Sequence, residues 1–243
     1  MLERKILSEK TLNIASHKCR ALIHKASGVP IVFLHGYSFT SDVWQRTGAT
    51  ELLELKQVPF LALDMPYGAK SECQPRSRNV EVNVAVVNEA VKTIFGEAAP
   101  VLVGASLGGH IALQYAARFP VKGIMLLAPT RVLEETLLQA YRKFTFPVRI
   151  IIGSEDRIAS HEELRNLVDK VPNAKLTVYQ NEGHTAYLGR PDRFKRDLLE
   201  LYALAEQLVL RVWRRRCNGR VPHLSRFQCR SLRFLLEPEL VPC

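Results

Sequence analysis

The chain reads as an α/β protein built on a doubly wound, mostly parallel sheet, and three observations predict it. Short apolar runs alternate with helix-period segments from residue 18 to residue 210. Most of those runs are continuously apolar rather than alternating, as parallel strands covered on both faces must be. A small-residue turn, Gly104-Ala105-Ser106-Leu107-Gly108, joins one such run to a helical pattern.

In chain order, the expected strands are residues 19–24, 30–34, 59–63, 100–103, 123–127, 147–152 and 174–179. Each is short, rich in Val, Ile, Leu or Phe, and most begin at a proline or glycine. Helices are expected over residues 43–57, 79–95, 107–118, 132–143 and 161–171. The helix at 79–95 rests on spacing, because Val80, Val84, Val87, Val91 and Phe95 repeat at helical intervals although valine is a weak helix former. Pro191 and Asp192 open a long last helix, since proline suits its first turn and aspartate its positive end. An apolar stripe carries that helix through Phe194, Leu198, Leu201, Tyr202, Ala205, Val209 and Trp213, and Arg214-Arg215-Arg216 is expected to end it.

Composition narrows the function classes. An apolar fraction of 47% is ample for a large core. The first ten residues hold no apolar stretch of the kind a secretory leader needs, and no uncharged run approaches the ~20 residues of a membrane span. Cys19, Cys73, Cys217, Cys229 and Cys243 show no metal-ligand spacing, and an odd count without a leader suggests reduced thiols and a cytoplasmic location. Cys73, in the polar stretch Ser71-Glu72-Cys73-Gln74-Pro75, reads as an exposed thiol. The net charge of +10 is concentrated at one end: residues 211–243 hold eight Arg, no Lys and two Glu, six of those ten charges. The basic balance is therefore no nucleic-acid signature for the body of the chain.

The turn around Ser106 carries the chemistry. A serine on a sharp strand-to-helix turn presents its hydroxyl at the top of a sheet, and the turn needs small flanking residues. The following helix aims N–H groups at the site, where they favour developing negative charge. Such a serine needs a base, and the base an orienting acid. Asp156 lies just past the end of the strand at 147–152, where open α/β sheets build their sites. Glu155 and Asp192 are its alternatives. His184, in Glu182-Gly183-His184-Thr185, follows the strand ending at residue 179. His35-Gly36 closes the strand at 30–34, and the backbone N–H groups of Tyr37 and Leu107 form the expected oxyanion hole. His35 itself reads as a residue that shapes this loop, and His17, His24, His110, His161 and His223 as surface or packing residues.

Taken together, His35-Gly36, the turn Asp64-Met65-Pro66-Tyr67-Gly68, the Ser106 elbow, Gly153-Ser154-Glu155-Asp156 and Gly183-His184 resemble the α/β-hydrolase family over about residues 18–210. The resemblance implies an eight-stranded sheet and acyl-transfer chemistry with no cofactor and no metal. It marks one departure, since Tyr67 and Ala69 stand where members often have glycine. Members commonly carry a cap domain after the strand ending at residue 127. Here about 17 residues separate Pro129 from Pro147, and one helix nearly fills them, so no cap fits. A shallow, open pocket is expected, lined by Phe39, Met65, Tyr67, Tyr187 and Leu188 beside Tyr37.

The reading is a serine hydrolase of short-chain carboxylic esters, with Ser106 as nucleophile, His184 as general base and Asp156 as its orienting acid. The same triad also suits thioester or amide cleavage or cofactor-free perhydrolysis, and a non-catalytic hydrolase-fold binder is the rival class. The expected partner is a small ester, with no nucleic acid bound by the main domain; the oligomeric state stays open. Residues 1–210 are expected to form the hydrolase domain. Residues 211–243 read as a basic extension: a segment without function, an arm for an acidic partner, or an added helix near residues 222–236.

Overall fold

A computed structural model describes residues 8–216, and their side chains as far as residue 208. In chain order the elements are β1 (Ser8–Ile14), β2 (His17–His24), β3 (Ile31–Leu34), α1 (Val43–Arg46), α2 (Ala49–Leu55), β4 (Phe60–Leu63), β5 (Cys73–Gln74), α3 (Val80–Phe95), β6 (Val101–Ala105), α4 (Leu107–Ala116), β7 (Gly123–Leu127), α5 (Glu135–Tyr141), β8 (Val148–Gly153), α6 (His161–Lys170), β9 (Ala174–Tyr179), α7 (Ala186–Gly189) and α8 (Pro191–Arg216). Nine strands form one sheet in the order β1-β2-β4-β3-β6-β7-β8-β9, with β5 pairing β2 off this path. From β4 through β9 every neighbouring pair is parallel; the pairs made by β2 are antiparallel.

The continuously apolar strands are sandwiched as expected. Alternate residues serve opposite faces, with Val32 and Leu34 in one core and Ile31 and Phe33 in the other. The first core is closed by Val84, Val87 and Val91 of α3, Ile111 and Ala112 of α4, and Leu164 and Leu167 of α6. The second is closed by Trp44 of α1, Leu53 of α2, and Phe194, Leu198, Leu201 and Tyr202 of α8. The valine spacing of α3 thus marks its buried stripe, and Asn79 caps the helix by accepting from the Val82 N–H.

Several elements differ from the sequence reading. β1 was not expected, because its sequence Ser-Glu-Lys-Thr-Leu-Asn-Ile is polar and only Leu12 and Ile14 are buried. An edge strand buries little, so its signal is weak. It returns on β2 through Ala15 and Ser16, both at positive φ, the backbone a two-residue hairpin turn needs. The single helix expected over residues 43–57 is two, broken at Gly48, whose φ of 70° is left-handed. Between β7 and β8 the only helix is the seven-residue α5, so no cap domain interrupts the sheet there.

Cys73 is not an exposed thiol. β5 lays it against β2 directly opposite Cys19, both are fully buried, and the two are joined as a disulfide. Among the described residues no helix is long and apolar enough to cross a membrane. The basic extension beyond Arg216, its possible helix near residues 222–236, and His223, Cys217, Cys229 and Cys243 lie outside the described residues, and the side chains of Val209 and Trp213 are likewise undescribed.

Candidate active site

The parallel strands β3, β6, β7, β8 and β9 all point the same way, so the loops leaving them gather at one edge of the sheet. Ser106, Asp156 and His184 follow β6, β8 and β9 at that edge. Backbone hydrogen bonds sew these loops together. Ser106 N–H donates to Leu127 O at 2.8 Å, Ala128 N–H to Ile151 O at 2.7 Å, Ser154 N–H to Tyr179 O at 2.9 Å and Glu155 N–H to Glu182 O at 2.9 Å.

Ser106 sits at φ 51° and ψ −114°, a conformation that costs an L-residue on the order of 1–3 kcal/mol and is held only by what surrounds it. The two flanking glycines supply the room. A Cβ on Gly104 would lie 2.4 Å from Gly108 O, and one on Gly108 would lie 2.2 Å from Leu34 O. The turn is therefore packed backbone against backbone, and Ser106, only partly buried, is presented outward at the head of α4.

Asp156 and His184 are in direct contact, with His184 Nδ1 2.9 Å from Asp156 Oδ2. Asp156 Oδ1 accepts from Ile158 N–H at 2.8 Å and Ala159 N–H at 3.0 Å. The carboxylate is wholly buried while the imidazole keeps 19% of its surface exposed, which suits an acid that orients and a base that works at the surface. Of the two alternative acids, Asp192 pairs with Lys195 at 2.9 Å, and among the described residues the carboxylate bonded to His184 is that of Asp156, not Glu155.

The loop after β3 approaches the serine closely: a Cβ built on Gly36 would lie 3.6 Å from Ser106 Cβ. The N–H groups of Tyr37 and Leu107 donate to no described residue, which leaves two free donors beside the serine. His35 fixes that loop from below. It is fully buried; its Nδ1–H donates to Gly36 O at 2.8 Å and its Nε2 accepts from Met65 N–H at 3.0 Å. Burial pushes its pKa below the usual imidazole value, so the ring stays neutral in this tautomer. Asp64 staples the same region, accepting from Ser41 N–H at 2.7 Å and Glu72 N–H at 2.8 Å. The sequence reading gave Asp64 no role, although an acidic residue at the end of a continuously apolar strand is a signal for one.

The expected pocket lining is corrected at three positions. Met65 is 0% exposed, Tyr67 3% and Tyr187 2%, so none of them offers surface to a ligand. Met65 and Tyr67 pack in the core, where Tyr67 donates its hydroxyl hydrogen to His35 O at 2.5 Å. Here the larger residue braces a turn that in the resembling family often holds glycine. Tyr187 stacks on Trp44 with ring centres 5.7 Å apart. Phe39 and Leu188 are partly buried at the second core, and Tyr37 is 40% exposed, its hydroxyl oxygen accepting from Arg78 at 2.9 Å. Among the described residues no cluster of His, Cys, Asp or Glu could hold a metal ion.

Comparison with known proteins agrees with this architecture. Residues 29–144 match the family described as the alpha/beta hydrolase fold. Protein ABHD14A of Homo sapiens is 32% identical over 73% of this chain, and the match spans 65% of that protein's length. ABHD14B of Homo sapiens, named for a proposed protein-lysine deacylase activity, is 26% identical over 70% of this chain and 81% of its own. Among solved structures, a predicted CIB-like hydrolase from Thermoplasma acidophilum superposes with a TM-score of 0.71 at 22% identity, covering 79% of this chain and 96% of the other.

Proposed function

The chain belongs to the α/β-hydrolase fold family, and from that premise we propose that it is a serine hydrolase that cleaves short-chain carboxylic esters. The observation that carries this is the ordered set of a strained serine elbow, a buried carboxylate bound to a partly exposed histidine, and two backbone N–H groups unpaired among the described residues at one sheet edge. A protein that only binds has no use for that combination.

In the proposed reaction, neutral His184 Nε2 accepts the Ser106 hydroxyl proton as Oγ adds to the acyl carbon. The carbonyl π electrons move onto oxygen, and the Tyr37 and Leu107 N–H groups donate to that oxyanion. Asp156 holds Nδ1–H, and so keeps Nε2 free as an acceptor and stabilises the imidazolium that forms. When the tetrahedral intermediate collapses, the imidazolium gives its proton to the leaving alcohol. Water then repeats the sequence on the acyl-enzyme and releases the acid. The short connection between β7 and β8 leaves little to cover a long acyl chain, which favours small acyl groups.

A second reading, amide cleavage at an acylated lysine, is favoured by the likeness to ABHD14B and uses the same groups. One experiment tests both. A fluorophosphonate probe should label the wild type and not Ser106→Ala, and the wild type should turn over p-nitrophenyl acetate. Turnover of an acetyl-lysine peptide in preference to the ester selects the second reading. Probe labelling undiminished in Ser106→Ala overturns the nucleophile assignment.

A further inference from the structure

Behind the loop that carries His184 lies a separate concavity of about 480 Å³, which shares no residue with the proposed triad. It is lined by Gln180 and Asn181 after β9, and by Arg190, Asp192, Arg193 and Arg196 from the loop end and the first turns of α8. Three guanidiniums line it beside the Asp192 carboxylate, and one of them, Arg190, is already paired with Glu182 at 2.7 Å. The nearby acids are already engaged elsewhere. Asp192 pairs with Lys195 at 2.9 Å, and Asp197 accepts from the Tyr179 hydroxyl at 2.7 Å. Glu182 takes only Arg190, through Nε at 2.7 Å.

Among the described residues neither Arg193 nor Arg196 makes an ion pair within 4 Å, although Arg196 lies near enough to Asp192 to help hold its carboxyl below the usual range. Arg193 is positioned all the same, its guanidinium 4.3 Å above the centre of the Tyr179 ring, which holds the plane while its N–H edges stay free. Arg196, one helical turn further on, shares the same face of α8. Cations gathered around a cavity repel one another unless an anion joins them, and the planar guanidinium fork matches phosphate oxygens two at a time.

We propose that this cavity binds a phosphate-bearing small molecule, with the phosphate held by Arg193 and Arg196 and supported by Arg190. A dianionic phosphate matches Arg193 and Arg196, the two guanidiniums of the lining that make no ion pair within 4 Å among the described residues. The volume exceeds what a phosphate alone fills and lies within the range of about 300–1,000 Å³ that holds a small organic ligand. The site is independent of the hydrolase reading, and its test requires no turnover.

The test is calorimetric titration of the full chain with inorganic phosphate, glucose 6-phosphate and glucose. Saturable binding of phosphate is expected, with glucose silent. A tighter glucose 6-phosphate assigns the site to a phosphorylated metabolite, and equal affinities assign it to the free anion. Arg193→Gln with Arg196→Gln should weaken phosphate binding by about tenfold or more, leaving ester hydrolysis within about twofold and the thermal midpoint unchanged without phosphate. If Arg193→Gln unsettles the packing on Tyr179, the exposed Arg196→Gln alone decides, with a loss of about threefold or more expected. Absence of saturable phosphate binding to the wild type, or undiminished affinity in Arg196→Gln and in the double variant, overturns the proposal.

Discussion

Asparagine in place of Asp156 changes one oxygen to an amide group, and the surroundings decide which one. Oδ1 accepts from two backbone N–H groups, those of Ile158 and Ala159 at 2.8 and 3.0 Å. An amide nitrogen cannot take that position, so the asparagine carbonyl must occupy it. The NH₂ then stands where Oδ2 is, 2.9 Å from His184 Nδ1 and nearer to it than the carbonyl at 3.1 Å, which already accepts two backbone N–H groups, so the amide is expected to donate to Nδ1. His184 is forced into the tautomer with its proton on Nε2, and Nε2 can no longer accept the Ser106 proton. Shape and burial hardly change, so the fold should be retained. Loss of the carboxylate removes about one charged hydrogen bond, worth ~1.5–3 kcal/mol. Wrong-tautomer substitutions in a triad cost about 10⁴ in rate, or ~5 kcal/mol at ~1.36 kcal/mol per decade. The assay is kcat/KM on p-nitrophenyl acetate beside a thermal melt, with Asp156→Ala for comparison. Asp156→Asn should lose about 10³–10⁴ in kcat/KM and be at least as impaired as Asp156→Ala, which leaves the imidazole tautomer free. A folded Asp156→Asn retaining more than about a tenth of wild-type kcat/KM would refute the reasoning.

Three further outcomes are expected. Gly108→Ala sets a Cβ 2.2 Å from Leu34 O and 2.7 Å from His35 O, both backbone atoms that cannot swing away; urea denaturation should show a loss of about 2–4 kcal/mol, and an unchanged midpoint would mean the turn is less tightly packed than described. Acyl preference should peak at about C2–C6 across p-nitrophenyl esters, whereas a kcat/KM that climbs with each CH₂, worth ~0.8 kcal/mol when buried, would reveal a covered acyl tunnel. Arg20 donates to Glu9 at 2.8 Å and to Asp42 at 2.6 Å, and this hydrogen bonding is the first cause that holds both carboxyls below their usual pKa. A depressed carboxylate pKa contributes stability above the unfolded value of about 4 and loses it as pH falls through the folded value. Arg20→Gln should therefore cost up to about 1 kcal/mol near neutral pH and progressively less toward pH ~2–3, and an equal cost at both would exclude the ion pairs as the cause.

The sequence alone determined the fold class and the chain order of the candidate site residues. Continuous apolar runs, valine at helical spacing and a serine between obligatory glycines are local signals, each legible within a dozen residues. The hydrogen-bonded Asp156–His184 pair was legible too, because both residues lie just past strand ends and parallel strands bring such ends together. What the sequence could not supply is which side of a side chain meets water. Met65, Tyr67 and Tyr187 sit on loops at the right edge and look like pocket lining, yet His35, Trp44 and the two cores enclose them. Cys73 looks exposed in a polar stretch until β5 is laid on β2. β1 is too polar to show itself and forms because β2 offers it a free edge. Loop exposure and edge pairing are decided by segments far away in sequence, so only the tertiary structure fixed them.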